Sequence, residues 1–219
     1  MTTIEFFHDA VCGWCYLLSP RLRELASRYQ IKILHRAYVL QRNKEEMITR
    51  FGSLELAKKE ILEHWKHCQL YAEEPSRFNT EGMRCADFHY PSGFNAALAA
   101  KTAETLAGQT GHWNYFDAVQ TAHLKEARNI ADIETLLDIA EHLGFIRGKF
   151  ADLMSMPQTE EAIEQDIVRA RIFGITSVPS ILIDGQRIIS QTLSTEQLET
   201  LFKELKEKPR AKENTNVKL

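Results

Sequence analysis

Nowhere in these 219 residues is there an apolar run of 18 or more. That excludes a membrane-spanning helix. Charge of one sign is not in excess either: 27 Lys and Arg stand against 30 Asp and Glu, a formal net charge of −3, and the signs are mixed along the chain. Such a balance lacks the basic footprint of a nucleic-acid-binding surface. Cysteine is scarce, with four residues, too few for a secreted disulfide scaffold. The N-terminus shows no basic n-region, apolar h-region or small-residue cleavage site ahead of its first strand. That pattern points to a cytoplasmic protein. No internal repeat is visible.

Apolar residues make up 44% of the chain, enough for a sizeable core. The length suits one large domain or two small ones.

Two of the four cysteines are separated by two residues, in Cys12-Gly13-Trp14-Cys15. They follow the strand-like run Ile4-Glu5-Phe6-Phe7 and open an amphipathic stretch. Strand, thiol pair, helix is an informative order. It places a sulfur at a helix N-terminus, where unpaired N–H groups and the helix dipole favour negative charge. The thiolate is the nucleophile of sulfur chemistry, and this position lowers a thiol's pKa. Thiol–disulfide exchange is therefore the first reading. A structural zinc site would need two further Cys or His ligands at similarly tight spacing. Cys68 and Cys85 form no second pair, so no metal and no organic cofactor is expected.

Residues 3–7 read as a buried strand, 12–28 as a helix that Pro20 should kink, and 31–40 as a second strand. Strand, helix, strand makes a βαβ unit with parallel strands. From about residue 43 to 156 the pattern is helical. Ser53 caps one helix, 73–91 is irregular, and Ser92 caps an Ala-rich helix over 94–107. Gly108 and Gly111 break it, helices over 113–124 and 132–143 follow, and Pro157 closes the block. A helix over 159–173 leads to Val178-Pro179, a strand over 180–183, an Asp184-Gly185 hairpin turn, a strand over 187–190 and a helix over 195–206. The charged segment 207–219 reads as a disordered tail. The fold class is α/β.

Cys12-x-x-Cys15 with four residues between Cys15 and Pro20, joined to the distant Val178-Pro179 before a hairpin, resembles the thioredoxin superfamily. The helical block in the middle resembles its DsbA-like family, and the Trp14-containing motif with Tyr16 after Cys15 looks most like the FrnE-like and cytoplasmic branch. The resemblance implies a discontinuous thioredoxin-like domain, 1–41 and 159–206, with a helical insertion, 42–158. It implies a disulfide oxidoreductase or isomerase with Cys12 as attacking thiolate and Cys15 as resolving thiol. The partners implied are protein or small-molecule thiols and disulfides, glutathione among them; oligomeric state is not indicated. The resemblance further implies that Val178-Pro179 is cis and offers its backbone to an extended substrate. Gly13 and Trp14 complete the expected substrate surface. The dipeptide differs from the Pro-His of DsbA and the Gly-Pro of thioredoxin, and the motif holds no cation.

His8 and Asp9 precede the thiols as candidates for a proton relay, weighed against plain loop structure and solvent contact. Strand alternation turns Glu5 away from the Ile4 and Phe6 face, against a role beside the inner thiol. Cys68 and Cys85 are most simply isolated thiols; a second disulfide and a ligand pair of His64 with Cys68 are the alternatives. Phe88, Tyr90, Trp113, Tyr115 and Phe116 are core candidates, a few of them fit to line a groove above Cys12. Two rival functions remain. One is a glutathione-dependent isomerase or transferase of the kappa-class type, in which Ser generally replaces Cys12 and the second thiol is missing. The other is a non-catalytic chaperone module using the aromatic groove.

Overall fold

A computed structural model describes residues 2–207. Four strands, β1 (Thr3–His8), β2 (Lys32–Ala37), β3 (Ser180–Ile183) and β4 (Arg187–Ile189), form one sheet in the order β2-β1-β3-β4. β1 runs parallel to β2 and antiparallel to β3, and β4 returns antiparallel to β3. The parallel pair requires a crossover, which α1 (Gly13–Tyr29) supplies. The register pairs Phe6 with His35 and Ile4 with Ile33. Alternation then sends Ile4, Phe6 and His8 to one face and Glu5 and Phe7 to the other. Both faces are covered, so every residue of β1 after Thr3 is buried, as in sheets packed on two sides.

Between β2 and β3 lie α2 (Lys44–Phe51), α3 (Leu54–Gln69), α4 (Thr80–Cys85), α5 (Phe94–Gln120), α6 (Ile133–His142), α7 (Arg147–Met154) and α8 (Pro157–Ile172); α9 (Thr195–Glu207) follows the hairpin. α5 packs on β2, α6, α7 and α8, while α1 packs on α3, α5 and α9. Ala170 of α8 joins Phe7, Ile175 and Leu182 in a small second core on the Phe7 face.

Several local expectations hold. Ser53 Oγ accepts from the Leu56 N–H at 3.1 Å and starts α3. α5 differs: its N-cap is Gly93, without a side-chain capping bond, and Ser92 Oγ, one residue earlier, accepts from the Phe94 N–H at 3.1 Å. Pro20 lies inside an unbroken α1. It donates no hydrogen bond to the Tyr16 carbonyl four residues back, and Arg77 Nη2 donates to that carbonyl at 3.3 Å instead.

Others need correction. β2 stops at Ala37 rather than 40, because the Leu40 N–H leaves the ladder for the Asp9 carboxylate at 2.8 Å. The irregular stretch 73–91 contains α4, capped by Asn79 Oδ1 on the Gly82 N–H. Pro157 opens α8 at its first turn instead of closing the helical block. Both roles use the missing N–H, but at the first helical position it has no bond to lose. The two helices expected around Gly108 join across a sharp kink at Ala107 and Gly108, where Gly108 takes φ +64°. Gly111 then continues the helix: a β-carbon there would lie 2.5 Å from the Ala103 carbonyl oxygen. α9 runs to Glu207, and the tail expected beyond it lies outside the described residues.

Candidate active site

A tight turn after β1 delivers the thiols. The Cys12 N–H donates to the Asp9 carbonyl at 3.1 Å, and Cys12 itself is the N-cap of α1. Its sulfur accepts from the Cys15 N–H at 3.3 Å. The side chain thus takes up one of the four N–H groups that a helix start leaves unpaired. Such a donor, with the dipole behind it, stabilises a thiolate more than a thiol. Both cysteines are unbonded; Cys12 is 7% exposed and Cys15 fully buried.

From across the site comes the segment before β3. Val178–Pro179 is a cis peptide, as the resemblance implies, and the Val178 carbonyl lies 3.7 Å from the Cys12 sulfur. Gln120 Nε2 donates to the Cys12 carbonyl at 3.2 Å and to the Ala10 carbonyl at 3.4 Å. Thr192 Oγ1 donates to the Trp14 carbonyl at 3.2 Å. The CxxC turn is therefore held by three separate parts of the chain.

Burial pushes the Cys15 thiol well above its usual range, and the hydrogen bond to Cys12 and the charges of Cys12 and Asp9 push the same way; only the Asp9 backbone N–H pulls it down. Cys15 is thus a neutral thiol at rest. Burial also lifts the Asp9 carboxyl to about 6, against the N–H groups of Leu40, Val11 and Ala10.

A cavity of about 480 Å³ opens over Cys12 and is lined by Gly13, Trp14, Phe51, Trp65, Cys68 and Tyr90 among others. Most of its named walls are apolar, with Arg50, Glu60 and His64 as polar points. Apolar walls with a few polar groups suit an extended organic ligand. A wider cleft of about 850 Å³, lined by Arg42, His89 and Asn129, holds no thiol.

A model of the DSBA-like thioredoxin domain matches residues 3–206. The chain belongs to the DsbA-like family. Its fold is the thioredoxin fold with a helical insertion, shared with two solved structures. A candidate protein disulfide isomerase from Nitrosomonas europaea superposes with a TM-score of 0.75 at 17% identity, covering 93% of this chain and 96% of that one. The cytosolic disulfide reductase DsbM of Pseudomonas aeruginosa superposes with a TM-score of 0.71 at 19% identity, covering 94% and 97%, and it has also been solved with GSH. In sequence, the ClpXP adapter protein SpxH of Bacillus licheniformis is 22% identical over 99% of this chain and 71% of its own length.

In this DsbA-like domain the other candidates fall as follows. His8 and Asp9 are both buried, not solvated loop residues. His8 Nε2 faces His35 Nδ1 at 3.0 Å, which turns it to a second histidine rather than to a thiol. Glu5 lies on the far face, hydrogen-bonded by Arg36 and Arg169. Cys68 lines the Cys12 cavity, and burial, with the charge of Cys12, pushes its thiol up to about 12. Cys85 is exposed and donates to Glu81 at 3.3 Å, so the second disulfide is not formed. Of the five aromatics, Tyr90 alone lines the Cys12 cavity. Tyr115 stacks on Phe150 and Phe116 is core. Trp65 and Phe51 supply the walls the sequence did not single out. Among the described residues the grouping of three metal-capable side chains is His8, His35 and His112, not His64 with Cys68.

Proposed function

We propose that the chain is a thiol–disulfide oxidoreductase acting through Cys12 and Cys15 on protein or small-molecule disulfides, with glutathione as a thiol partner. The observation that carries this reading is the Cys15 N–H donating to the Cys12 sulfur at the start of α1. It favours Cys12 as the thiolate, while burial keeps Cys15 protonated. The Cys12 thiolate attacks one sulfur of a substrate disulfide, forms a mixed disulfide and releases the other sulfur as a thiolate. Cys15 then loses its proton and attacks the Cys12 sulfur. The second substrate sulfur leaves, and the two electrons gained by the substrate are those lost in forming Cys12–Cys15. A dithiol partner, or two molecules of glutathione, reverses the sequence.

Asp9 is a buried carboxylate whose charge reaches Cys15, and the reading gives it the Cys15 proton. Gly13, Trp14, Val178 and Pro179 form the floor on which an extended segment lies, the Val178 carbonyl serving as a strand-like acceptor. On this reading 1–41 and 159–206 carry the chemistry, and the insertion 42–158 shapes the cavity. The setting is cytoplasmic, in keeping with a cytosolic reductase among the structural neighbours.

The test is insulin reduction with glutathione as electron donor. Cys12→Ser abolishes turnover, and Cys15→Ser accumulates a mixed disulfide that is seen by mass. Turnover indifferent to Cys15→Ser would instead mean a one-thiol transferase. The reduction potential sets direction: near about −270 mV for a reductant, near about −120 mV for an oxidant.

A further inference from the structure

Beneath the thiol turn, three imidazoles from three elements meet in the core. His8 ends β1, His35 lies in β2, and His112 lies in α5 beyond its kink. They are 4%, 0% and 0% exposed. Their ring centroids stand 5.0, 5.2 and 5.0 Å apart. His8 Nε2 and His35 Nδ1 are 3.0 Å apart. Two nitrogens bound to a tetrahedral zinc at about 2.0 Å stand about 3.3 Å apart. That pair already stands close to the spacing of a shared ion, and one nitrogen from each of the three rings lies within 4.8 Å of the others.

Two further observations point to a ligand. His112 Nε2 is buried with no hydrogen-bond partner among the described residues, a costly state for a polar atom. A void of about 10 Å³, the space of one water-sized sphere, lies against two of the three rings, His8 and His112, with Asp9, Phe116 and alanines completing its wall.

Glu104 settles which nitrogen His112 offers. Its carboxylate lies 2.7 Å from His112 Nδ1 and accepts from Gln109 at 2.8 Å and Lys101 at 2.7 Å. The Nδ1 proton therefore points at Glu104, and the lone pair sits on the unpartnered Nε2. A carboxylate behind a histidine in this way is the usual outer support of a metal ligand. Gln109 Oε1 also accepts from the backbone N–H of His35 at 2.6 Å, so the same polar frame that orients the His112 ring holds β2 at His35.

We propose that His8, His35 and His112 form a buried site for one divalent first-row transition-metal ion. Neutral imidazole donors suit zinc, nickel, copper or iron. The cations facing the cluster are Lys101 and Arg23. Lys101 is paired with Glu104 and Asp166, and Arg23 with Asp117. The site is separate from the thiols and does not depend on the redox reading.

The experiment adds Co²⁺, then Zn²⁺, to the full-length chain and to its Cys12→Ser/Cys15→Ser variant, which removes the competing thiols. Both chains take up one equivalent, with visible d–d bands and no thiolate charge-transfer band. Zinc at a hundred times its Kd raises the melting temperature by about 5–10 °C. Glu104→Gln weakens binding about 10–100-fold, and His35→Gln abolishes it. No uptake by the Cys12→Ser/Cys15→Ser chain overturns the site, as does uptake unchanged in a folded His35→Gln chain. If His35→Gln does not fold, Glu104→Gln decides alone: unchanged affinity there overturns the site.

Discussion

Gly13 and Cys68 meet so closely that a β-carbon on residue 13 would lie 3.0 Å from the Cys68 sulfur, with Phe78 Cε1 at 3.1 Å. Gly13 is the first residue of the thiol-bearing helix, and Cys68 lies near the end of α3. The contact joins the inserted helices to the reacting sulfurs. Helix propensity alone would favour Ala over Gly by up to about 1 kcal/mol. Overpacking opposes it, and in this core it dominates. Gly13→Ala is expected to cost about 1–2 kcal/mol of unfolding free energy. Cys68→Ala frees space for the new methyl, so the double variant should recover about 1 kcal/mol relative to the sum of the singles. Denaturant melts of the four proteins measure this. Additivity within about 0.5 kcal/mol would mean the two residues are not in contact.

What the sequence could and could not disclose follows from this pair. The strand before the thiols, the helix they open, the Val178-Pro179 turn and the Asp184-Gly185 hairpin each rest on signals within about ten residues. Periodicity, caps and turn dipeptides carry such signals. Cys68 over Gly13, and His35 with His112 beside His8, rest on tertiary packing across distant segments. No local pattern marks a histidine in a strand as facing another strand's histidine. The βα register supplies part of it: once β1 and β2 pair in parallel with Phe6 opposite His35, alternation puts His8 and His35 on one face. His112 needed the kink at Gly108, which read only as a helix break.

Trp14 leans edge-on against His67 and tilted against Tyr71, each at 5.4 Å between ring centroids. It is half-buried and lines the cavity. Its indole gives an extended substrate apolar surface at little cost in ordering, because the two neighbours already hold it. Trp14→Ala should raise KM for a peptide disulfide about tenfold, the size of a typical aromatic contact, with kcat changed less than threefold. A fall in kcat at unchanged KM would place Trp14 in the chemistry of the thiols instead.

Glu5 ties the sheet to α8 through Arg36 at 2.7 Å and through Arg169. Burial raises its carboxyl, but the hydrogen bonds from Arg169 and Arg36 outweigh burial and hold it below the ordinary carboxylate range. A lowered acid contributes stability that is present above its unfolded value, about 4.3. The contribution is lost as pH falls through the folded value below that. Glu5→Gln keeps the shape and removes the charge. It should cost about 2 kcal/mol at pH 7 and flatten the acid limb of the stability curve below pH 4.3. Equal acid limbs in both proteins would show that the two arginines are satisfied without Glu5.

His123 gives the sharpest dependence on pH away from the three-histidine cluster. It is fully buried, with Nε2 3.0 Å from Tyr90 Oη and Nδ1 3.4 Å from the Arg128 carbonyl. Tyr90 in turn donates to the Val11 carbonyl at 3.1 Å, directly before Cys12. Burial lowers the His123 imidazole to about 4. As pH falls below about 6.5 the unfolded chain takes up this proton, whereas the folded chain refuses it until about 4. Stability therefore falls with decreasing pH across that window, by about 3 kcal/mol in total and about 2 kcal/mol by pH 5. His123→Gln retains a hydrogen bond toward Tyr90 without the titration. Between pH 7 and pH 5 the wild-type chain should lose about 2 kcal/mol more than this variant in urea melts. Parallel losses would mean that His123 takes up its proton in the folded state near pH 6.5, and that water reaches the Tyr90 network behind the thiols.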